Sequence, residues 1–177
     1  MAKGKLIAME GLDGSGLSTQ ARMLHEYIKS KNINVTLTKE QTEGLIGGLI
    51  KSSLRKEWNI DPLALQMLFA ADRSHHLTVE IEPAIESGKI VICDRYVFSS
   101  LAFGGLNVDM EFLKLINSKF RKPDLTFVID TKPETCLDRI RHSRHGHELF
   151  EDLEKSRTVR KNYLSLRSHA QNVHIID

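Results

Sequence analysis

The sequence predicts an α/β fold: a five-stranded, mostly parallel sheet sandwiched by helices. Three observations lead to this prediction. Short apolar runs rich in β-branched residues alternate with longer segments in which apolar residues recur at helical spacing. A glycine-rich loop separates the first apolar run from the first helical segment. The length of 177 residues fits a single domain, spanning residues 1–177 and carrying one small lid.

The first half of the chain alternates strands and helices. Apolar residues predict strands over 5–10 and 34–38, and helical spacing begins between them at Leu17. A short helix is predicted over 43–54, although three glycines weaken it. An aspartate followed by proline at 61–62 is a typical helix start, because aspartate caps free N–H groups and proline fits the first helical position.

The second half continues the same alternation. The helix that begins at Pro62 is expected to kink or restart at Pro83 and to end at Gly88. The elements predicted after it are strands over 90–93, 125–129 and 173–176, and helices over 133–141 and about 148–168. Residues 141–148 are mostly polar and basic with one glycine, so we predict that they form the lid. Right-handed crossovers place the loops after the strands at one edge of the sheet.

Composition and charge limit the classes of function. Hydrophobic residues make up 41% of the chain and charged residues 27%, and no apolar run approaches the ~18–20 residues that cross a bilayer. The net charge of +2 does not favour non-specific nucleic-acid binding, but it leaves room for a local basic pocket. Residues 1–5 lead into the first strand without the long apolar stretch of a signal peptide, so we expect a cytoplasmic protein.

The loop after the first strand has the spacing of a phosphate-binding P-loop, which predicts a P-loop NTPase fold. Such a loop needs a strand before it and a helix after it, and this one has both. Glycines let several N–H groups face one anion, and the helix N-terminus adds its positive dipole end. Ser18 stands where a hydroxyl would hold Mg²⁺ beside the phosphates. The expected nucleotide-binding residues are Gly11, Leu12, Asp13, Gly14, Ser15, Gly16, Leu17, Ser18 and Thr19.

One residue of this loop departs from the pattern. A P-loop normally has lysine where this chain has Leu17, and that lysine neutralises phosphate charge in the transition state. Losing one positioned donor of this kind costs about a hundred- to a thousandfold in rate. Three explanations are open: another cation substitutes for the lysine, the enzyme is slow, or the protein binds nucleotide without turning it over.

Several ordered blocks together resemble the thymidylate kinase family of nucleoside monophosphate kinases, over about residues 5–177. The P-loop is similar to the family's Glu-Gly-Ile-Asp-Gly-x-Gly-Lys-Ser/Thr-Thr, and residues 38–41 are similar to its Thr-Arg-Glu-Pro. Residues 68–73 are very close to the family pattern, and residues 91–103 match its Asp-Arg-Tyr region. The resemblance implies transfer of the ATP γ-phosphoryl group to dTMP, giving dTDP, with ATP and Mg²⁺ as cofactors.

On the phosphate side, the resemblance implies roles for five residues. Asp13 would face the sugar and phosphate of the acceptor, and Arg95 would grip that phosphate. Lys39 stands at the position of a family arginine that helps to hold it, and keeps the charge without the bidentate fork. Asp94 would lie near the P-loop and act on Mg²⁺ and its waters. Ser18 and Asp94 thus form the implied metal site.

On the base side, Phe69 would stack on thymine, Arg73 would reach its O4 atom, and Ser100 would lie near its edge. Phenylalanine and arginine four residues apart share one helix face, which lets both reach the same base. Phe103 replaces a tyrosine that packs near the deoxyribose, and Gly104 stands where many members have a glutamine near the base. These two departures favour an altered selectivity for the acceptor.

The lid offers substitutes for the missing lysine. One subgroup of the family carries its catalytic arginine in the lid, and the chain resembles it because Ser15 is not arginine. Arg139, Arg141 and Arg144 bracket the lid. We hypothesise that Arg141 or Arg144 takes over part of the lysine's role, since guanidinium is permanently charged and suits phosphate geometry. The implied catalytic residues are Asp13, Arg95, Arg141 and Arg144.

Two other functions stay open. Leu17 favours a nucleotide-binding protein of the same fold with little catalysis, whereas Phe103 and Gly104 favour a kinase for another nucleoside monophosphate. The resemblance also implies a homodimer packed through the helix after Pro62, with small nucleotides as ligands and no nucleic-acid or membrane partner. Family members usually continue past the position of Asp177 into a loop that contacts adenine, so we expect a reduced affinity for ATP.

Overall fold

A computed structural model describes residues 3–143, 153–167 and 172–177. Its strands are β1 (Lys5–Gly11), β2 (Val35–Lys39), β3 (Ile90–Asp94), β4 (Leu125–Ile129) and β5 (Val173–Ile176). They form one sheet in the order β2-β3-β1-β4-β5, and each neighbouring pair is parallel. The predicted five-stranded parallel sheet is therefore confirmed.

The helices cover both faces of this sheet. They are α1 (Leu17–Ser30), α2 (Leu45–Leu54), α3 (Pro62–His76), α4 (Glu82–Glu86), α5 (Val97–Gly104), α6 (Met110–Asn117), α7 (Pro133–Ser143) and α8 (Leu153–Leu166). A π-helical turn, Leu77–Ile81, joins α3 to α4, and Pro83 lies in the first turn of α4. The segment stays helical through this turn, because His76, Leu77, Ile81 and Glu82 all have right-handed helical dihedrals, so Pro83 does not restart it. The π-helical turn just before the proline accommodates its missing N–H group.

The predicted set of helices is incomplete, and one predicted helix is described only in part. Helices α5 and α6, which follow β3 on the way to β4, have no counterpart among the predicted elements. The last predicted helix, 148–168, is described from Leu153 onward, and most of the predicted lid lies outside the described residues. None of the described helices is long and apolar enough to cross a membrane.

The central strand β1 is buried on both faces. Leu6 and Ala8 pack on one side in a cluster with Ile81 of the π-helical turn, whereas Ile7 and Met9 pack on the other side in a cluster with residues of α1. Side chains alternate along a strand, so helices on both faces require apolar residues at every position. This explains why β1 reads as a continuous apolar run.

The sheet register brings the functional loops together. Met9 of β1 and Lys39 of β2 both lie level with Asp94, the last residue of β3, and Gly11 lies level with Ile129 of β4. Because all strands are parallel, the loops that follow these residues meet at one edge of the sheet. Helix α3 reaches the same edge and is capped by Asp61, whose side chain accepts hydrogen bonds from the first turn.

Candidate active site

The loop between β1 and α1 curls tightly against α7. Gly14 and Gly16 have φ values of 77° and 94°, in the left-handed region that favours glycine. A Cβ atom on Gly14 would lie 2.4 Å from the carbonyl oxygen of Cys136, so a larger residue would push α7 away. Ser18 and Thr19 are exposed in the first turn of α1, where backbone N–H groups have no intrahelical partner. The loop therefore has the geometry of an anion-binding P-loop.

Leu17, at the position of the usual lysine, faces the core. Its side chain is only 4% exposed and belongs to the apolar cluster that contains Met9 and Ile129. The leucine thus fastens the start of α1 to the sheet. No positive charge is available from this position, so any compensating cation must come from elsewhere.

Arg139 of α7 lies against the P-loop. Its Nη1 atom donates hydrogen bonds to the carbonyl oxygens of Ser15, at 3.0 Å, and Gly14, at 3.3 Å. The same atom is 3.8 Å from where a Cβ atom on Gly16 would stand. The sequence analysis noted Arg139 only as flanking the lid. Cys136 packs on Gly14, and Arg139 follows it by three residues along α7. This spacing is the signal that places Arg139 on the loop-facing side of the helix.

Arg141 and Arg144 are the two arginines predicted to take over part of the lysine's role. Arg141 is exposed on the last turn of α7 and makes no hydrogen bond or ion pair with the parts of the chain that the structure describes. It lies about 200° around the helix from Arg139, which turns it away from the P-loop. Arg144 lies outside the described residues, so its role stays a prediction.

Arg95 joins the P-loop to the end of β3. Its backbone has φ 70°, and its guanidinium forms an ion pair with Asp13 and donates from Nη1 to the carbonyl oxygen of Gly11 at 3.0 Å. The same nitrogen lies 3.3 Å from Ser99 Oγ, and the guanidinium lies over the ring of Phe103 at 5.3 Å. Burial opposes the charge, but the Asp13 carboxylate raises the pKa of Arg95. The cation is thus fixed at the mouth of the site.

Glu10 is a buried carboxyl group beneath Arg95. Its Oε1 atom accepts hydrogen bonds from the backbone N–H groups of Tyr96, at 3.1 Å, and Phe98, at 3.0 Å, while Oε2 accepts from Ser99 Oγ at 2.6 Å. Burial raises the pKa of Glu10 to about 7, against the lowering effect of the Ser99 hydrogen bond. The sequence analysis gave this residue no role, although one carboxyl group at the end of an apolar strand was a signal.

One cavity of about 350 Å³ collects most of the predicted acceptor-binding residues. Those that line it are Asp13, Phe69, Arg73, Arg95, Ser100 and Phe103. They come from the P-loop, α3, the end of β3 and α5, which are far apart in the sequence. Gln66 also lines the cavity, beside Gly104, and the sequence analysis missed it. Lys39 is the one predicted acceptor-binding residue that does not line this cavity.

Lys39 lines a second cavity, of about 610 Å³, together with Ser18 and Asp94. Hydroxyl and carboxylate oxygens are ligands that Mg²⁺ accepts, so this pair fits the predicted metal site by its chemistry. Glu43 holds Lys39 at 2.7 Å, and the hydrogen bond from Lys39 lowers the pKa of Glu43 to about 2. Lys39 thus lies beside the predicted metal site, and its amino group already forms an ion pair with Glu43.

Arg73 lies in the floor of the first cavity and is only 1% exposed. Its Nε and Nη2 atoms contact the Glu40 carboxylate at 2.8 Å and 2.6 Å, and Nη2 donates to Ser100 Oγ at 3.1 Å. Burial opposes its charge, but Glu40 raises the pKa of Arg73. Asn117 accepts a hydrogen bond from Nη1. These partners hold the guanidinium in one orientation toward the cavity.

The loop after β2 is held by two buried carboxylates. Glu40 pairs with Arg73, and Asp72 accepts hydrogen bonds from the backbone N–H of Thr42 at 2.8 Å and from its hydroxyl at 2.6 Å. The peptide bond between Glu40 and Gln41 is cis. The Glu40 and Asp72 contacts tie the loop to α3, so two walls of the cavity are joined by direct bonds.

Comparisons with known proteins identify the family and the fold of this chain. A family model described as Thymidylate kinase matches residues 9–177. A "Probable thymidylate kinase" from Pyrococcus abyssi is 38% identical over 181 residues, covering 99% of this chain and 88% of the relative. A second, from Pyrobaculum aerophilum, is 42% identical over 172 residues, covering 97% and 86%. The crystal structure of thymidylate kinase from Ehrlichia chaffeensis matches with a TM-score of 0.80 at 29% identity, covering 98% of this chain and 93% of that chain.

The protonation of Glu10 predicts how stability changes with pH. Its pKa is about 7 in the folded chain against an ordinary 4.5, so between these values the folded protein binds a proton that the unfolded chain has lost. The contribution is fully present below pH 4.5 and is lost as the pH rises through 7, by at most about 3 kcal/mol. We expect Glu10→Gln to flatten this part of the unfolding free energy, measured by urea unfolding from pH 5 to 8.

The matched control for this experiment is Glu111→Gln, which changes an exposed carboxylate on α6. It should leave the pH dependence of the wild-type protein in place. An identical pH dependence in the wild-type protein and in Glu10→Gln would contradict the assignment.

Proposed function

The chain belongs to the thymidylate kinase family, and from that premise we propose that it transfers the γ-phosphoryl group of ATP to dTMP, giving dTDP. Membership of this family makes it a nucleoside monophosphate kinase. The observation that carries the choice of acceptor is the 350 Å³ cavity, in which an aromatic side chain, Phe69, and a buried donor, Arg73, lie together with the Arg95 cation. This set offers a stacking surface and base-edge donors at one end and a phosphate-binding charge at the other.

Positioning and charge account for most of what the protein contributes to this reaction. The N–H groups of the P-loop would bind the donor phosphates, and Ser18 and Asp94 would hold Mg²⁺. When bound, the ion supplies positive charge to the phosphates. On the other side, Arg95 would bind the acceptor phosphate, with Asp13 keeping the guanidinium in place.

Arg139 supports the view that another cation replaces the lysine. Its guanidinium contacts the carbonyl oxygens of Gly14 and Ser15, so it holds a positive charge at the loop that binds the donor phosphates. An arginine in this place stays charged at every working pH and presents several donors to phosphate oxygens. We therefore add Arg139 to Arg141 and Arg144 as a source of the missing charge.

Two alternative functions are each supported by a specific observation. The buried Leu17 favours a nucleotide-binding protein with little catalysis, because the loop itself lacks a cation. Gly104 and Phe103 favour a kinase for another nucleoside monophosphate, because they change the wall of the acceptor cavity.

Assembly and lid movement belong to the same proposal. Three exposed apolar side chains, Leu63, Met67 and Val79, lie along the segment from α3 to the π-helical turn and support a homodimer packed through it. Sedimentation equilibrium would give twice the mass of one chain for a homodimer and the mass of one chain for a monomer, which would contradict the proposed assembly.

Residues 141–148 would close over the nucleotides as a lid on the single domain.

A panel of acceptors tests the proposed function. Binding of dTMP, dUMP, dCMP, dAMP and dGMP is measured by calorimetry, and acceptor-dependent ADP formation from ATP and Mg²⁺ by a coupled assay. We expect dTMP to bind most tightly and to give the fastest ADP formation. Preference for a purine monophosphate would contradict dTMP as the acceptor. Binding of dTMP without any ADP formation would instead identify the non-catalytic alternative.

Arginine substitutions test where the missing charge comes from. We expect Arg139→Ala to lower kcat by about a hundredfold, because a positioned charge at the donor phosphates acts mainly in the transition state. Arg141→Ala is the matched variant on the opposite side of α7 and should have a smaller effect, and Arg144→Ala tests the lid directly. Unchanged turnover in all three variants would show that no arginine of this region replaces the lysine.

A further inference from the structure

We propose that Gln66 of α3 reads the edge of the acceptor's base, with its carboxamide oxygen accepting a hydrogen bond from the N3–H group of an imide base such as thymine. This inference rests on the proposed function, because it concerns the same acceptor cavity. It assigns a selectivity-determining residue that the sequence did not single out.

Burial and the lack of a partner point to Gln66. The side chain is 7% exposed, and its Oε1 atom is buried with no hydrogen-bond partner among the residues that the structure describes. A buried amide oxygen without a partner costs stability, so an unpartnered carboxamide in a residue that lines a cavity indicates a group that a ligand can satisfy. Gln66 lines the acceptor cavity together with Phe69 and Arg73 of the same helix.

The absence of a side chain at Gly104 makes room for this carboxamide. A Cβ atom on Gly104 would lie 2.8 Å from Cδ and 2.9 Å from Oε1 of Gln66, closer than such atoms approach in proteins. The glutamine therefore occupies space that a larger residue of α5 would fill. Gln66 therefore forms the wall of the cavity beside Gly104.

The chemistry of the base edge requires an acceptor at this place. Arg73 carries only donors, so it suits the O4 atom of thymine but cannot accept from N3–H. Ser100 Oγ accepts one hydrogen bond from Arg73 and keeps a second lone pair, so it is another acceptor near this edge. Glu40 Oε1, the other buried acceptor of this cavity that lacks a hydrogen-bond partner in the described chain, lies 3.5 Å from His76 Nδ1. Gln66 Oε1 is uncharged and has no hydrogen-bond partner in the described chain, so it is the acceptor that we assign to N3–H.

Arg73 and Gln66 together match one pattern of hydrogen-bond donors and acceptors on the base edge. An imide base presents O4 as an acceptor and N3–H as a donor on neighbouring atoms, which matches the Arg73 donor and the Gln66 acceptor. Cytosine presents an amino group where thymine has O4, so Arg73 would face a second donor. The pair therefore favours thymine and uracil over cytosine, with Gln66 supplying the half of the pattern that Arg73 cannot.

The test uses Gln66→Met, which keeps the length of the side chain and removes the carboxamide. We expect the Kd of dTMP to rise about 5- to 10-fold, the effect of one neutral hydrogen bond. Gln20→Met, an exposed substitution on α1, is the matched control and should leave the Kd unchanged. Thermal midpoints of both variants report whether the fold is kept.

A second measurement separates base recognition from a structural role. With dTMP labelled with ¹⁵N at N3, the imino proton of the bound nucleotide should shift downfield and exchange slowly in the wild-type protein, and should lose both properties in Gln66→Met. The same imino signal in both proteins, or an unchanged Kd, would overturn the assignment of Gln66 while leaving dTMP as the acceptor. Failure of the wild-type protein to bind dTMP would overturn the proposed function and this assignment together.

Discussion

The ion pair between Asp13 and Arg95 connects the two halves of the site. Asp13 belongs to the P-loop and Arg95 to the end of β3, so the pair fixes the donor loop relative to the acceptor cavity. Beneath it, Glu10 binds backbone N–H groups at the start of α5 and the hydroxyl of Ser99, which in turn contacts Arg95. The parallel register of β1 and β3 is what brings Glu10 and Arg95 to the same edge of the sheet. Loss of this alignment would separate the charges that phosphoryl transfer needs.

The distribution of positive charge differs between the two halves. The acceptor half keeps its cations, since Arg73 and Arg95 are both held by carboxylates that raise their pKa. The donor half has Leu17 turned into the core, so under the proposed function its charge would come from α7 or the lid. Arg139 reaches the P-loop because Gly14 lets α7 approach closely. Under the proposed function, an arginine on a helix packed against the loop would take the place of the lysine within it.

Much of this arrangement could be predicted from the sequence. The strands 125–129 and 173–176 were predicted to the residue, because each is a short apolar run with clear ends. Helix α5 escaped prediction because it is apolar around much of its circumference and shows no helical periodicity. Helix α6 was missed although its amphipathic pattern and the capping aspartate Asp109 are visible in the sequence. The roles of Arg139 and Gln66 depend on how α7 packs on the P-loop and how α3 packs on α5. Such contacts between distant segments leave no regular spacing in the sequence.

We propose that this chain turns over dTMP although its P-loop lacks lysine. The most direct test is dTMP-dependent ADP formation by the wild-type protein and by Leu17→Lys under the same ATP and Mg²⁺ concentrations. We expect clear turnover in the wild-type protein and less than about a tenfold gain in the variant, since the charge would already come from α7 or the lid. Turnover that appears only in Leu17→Lys would contradict it.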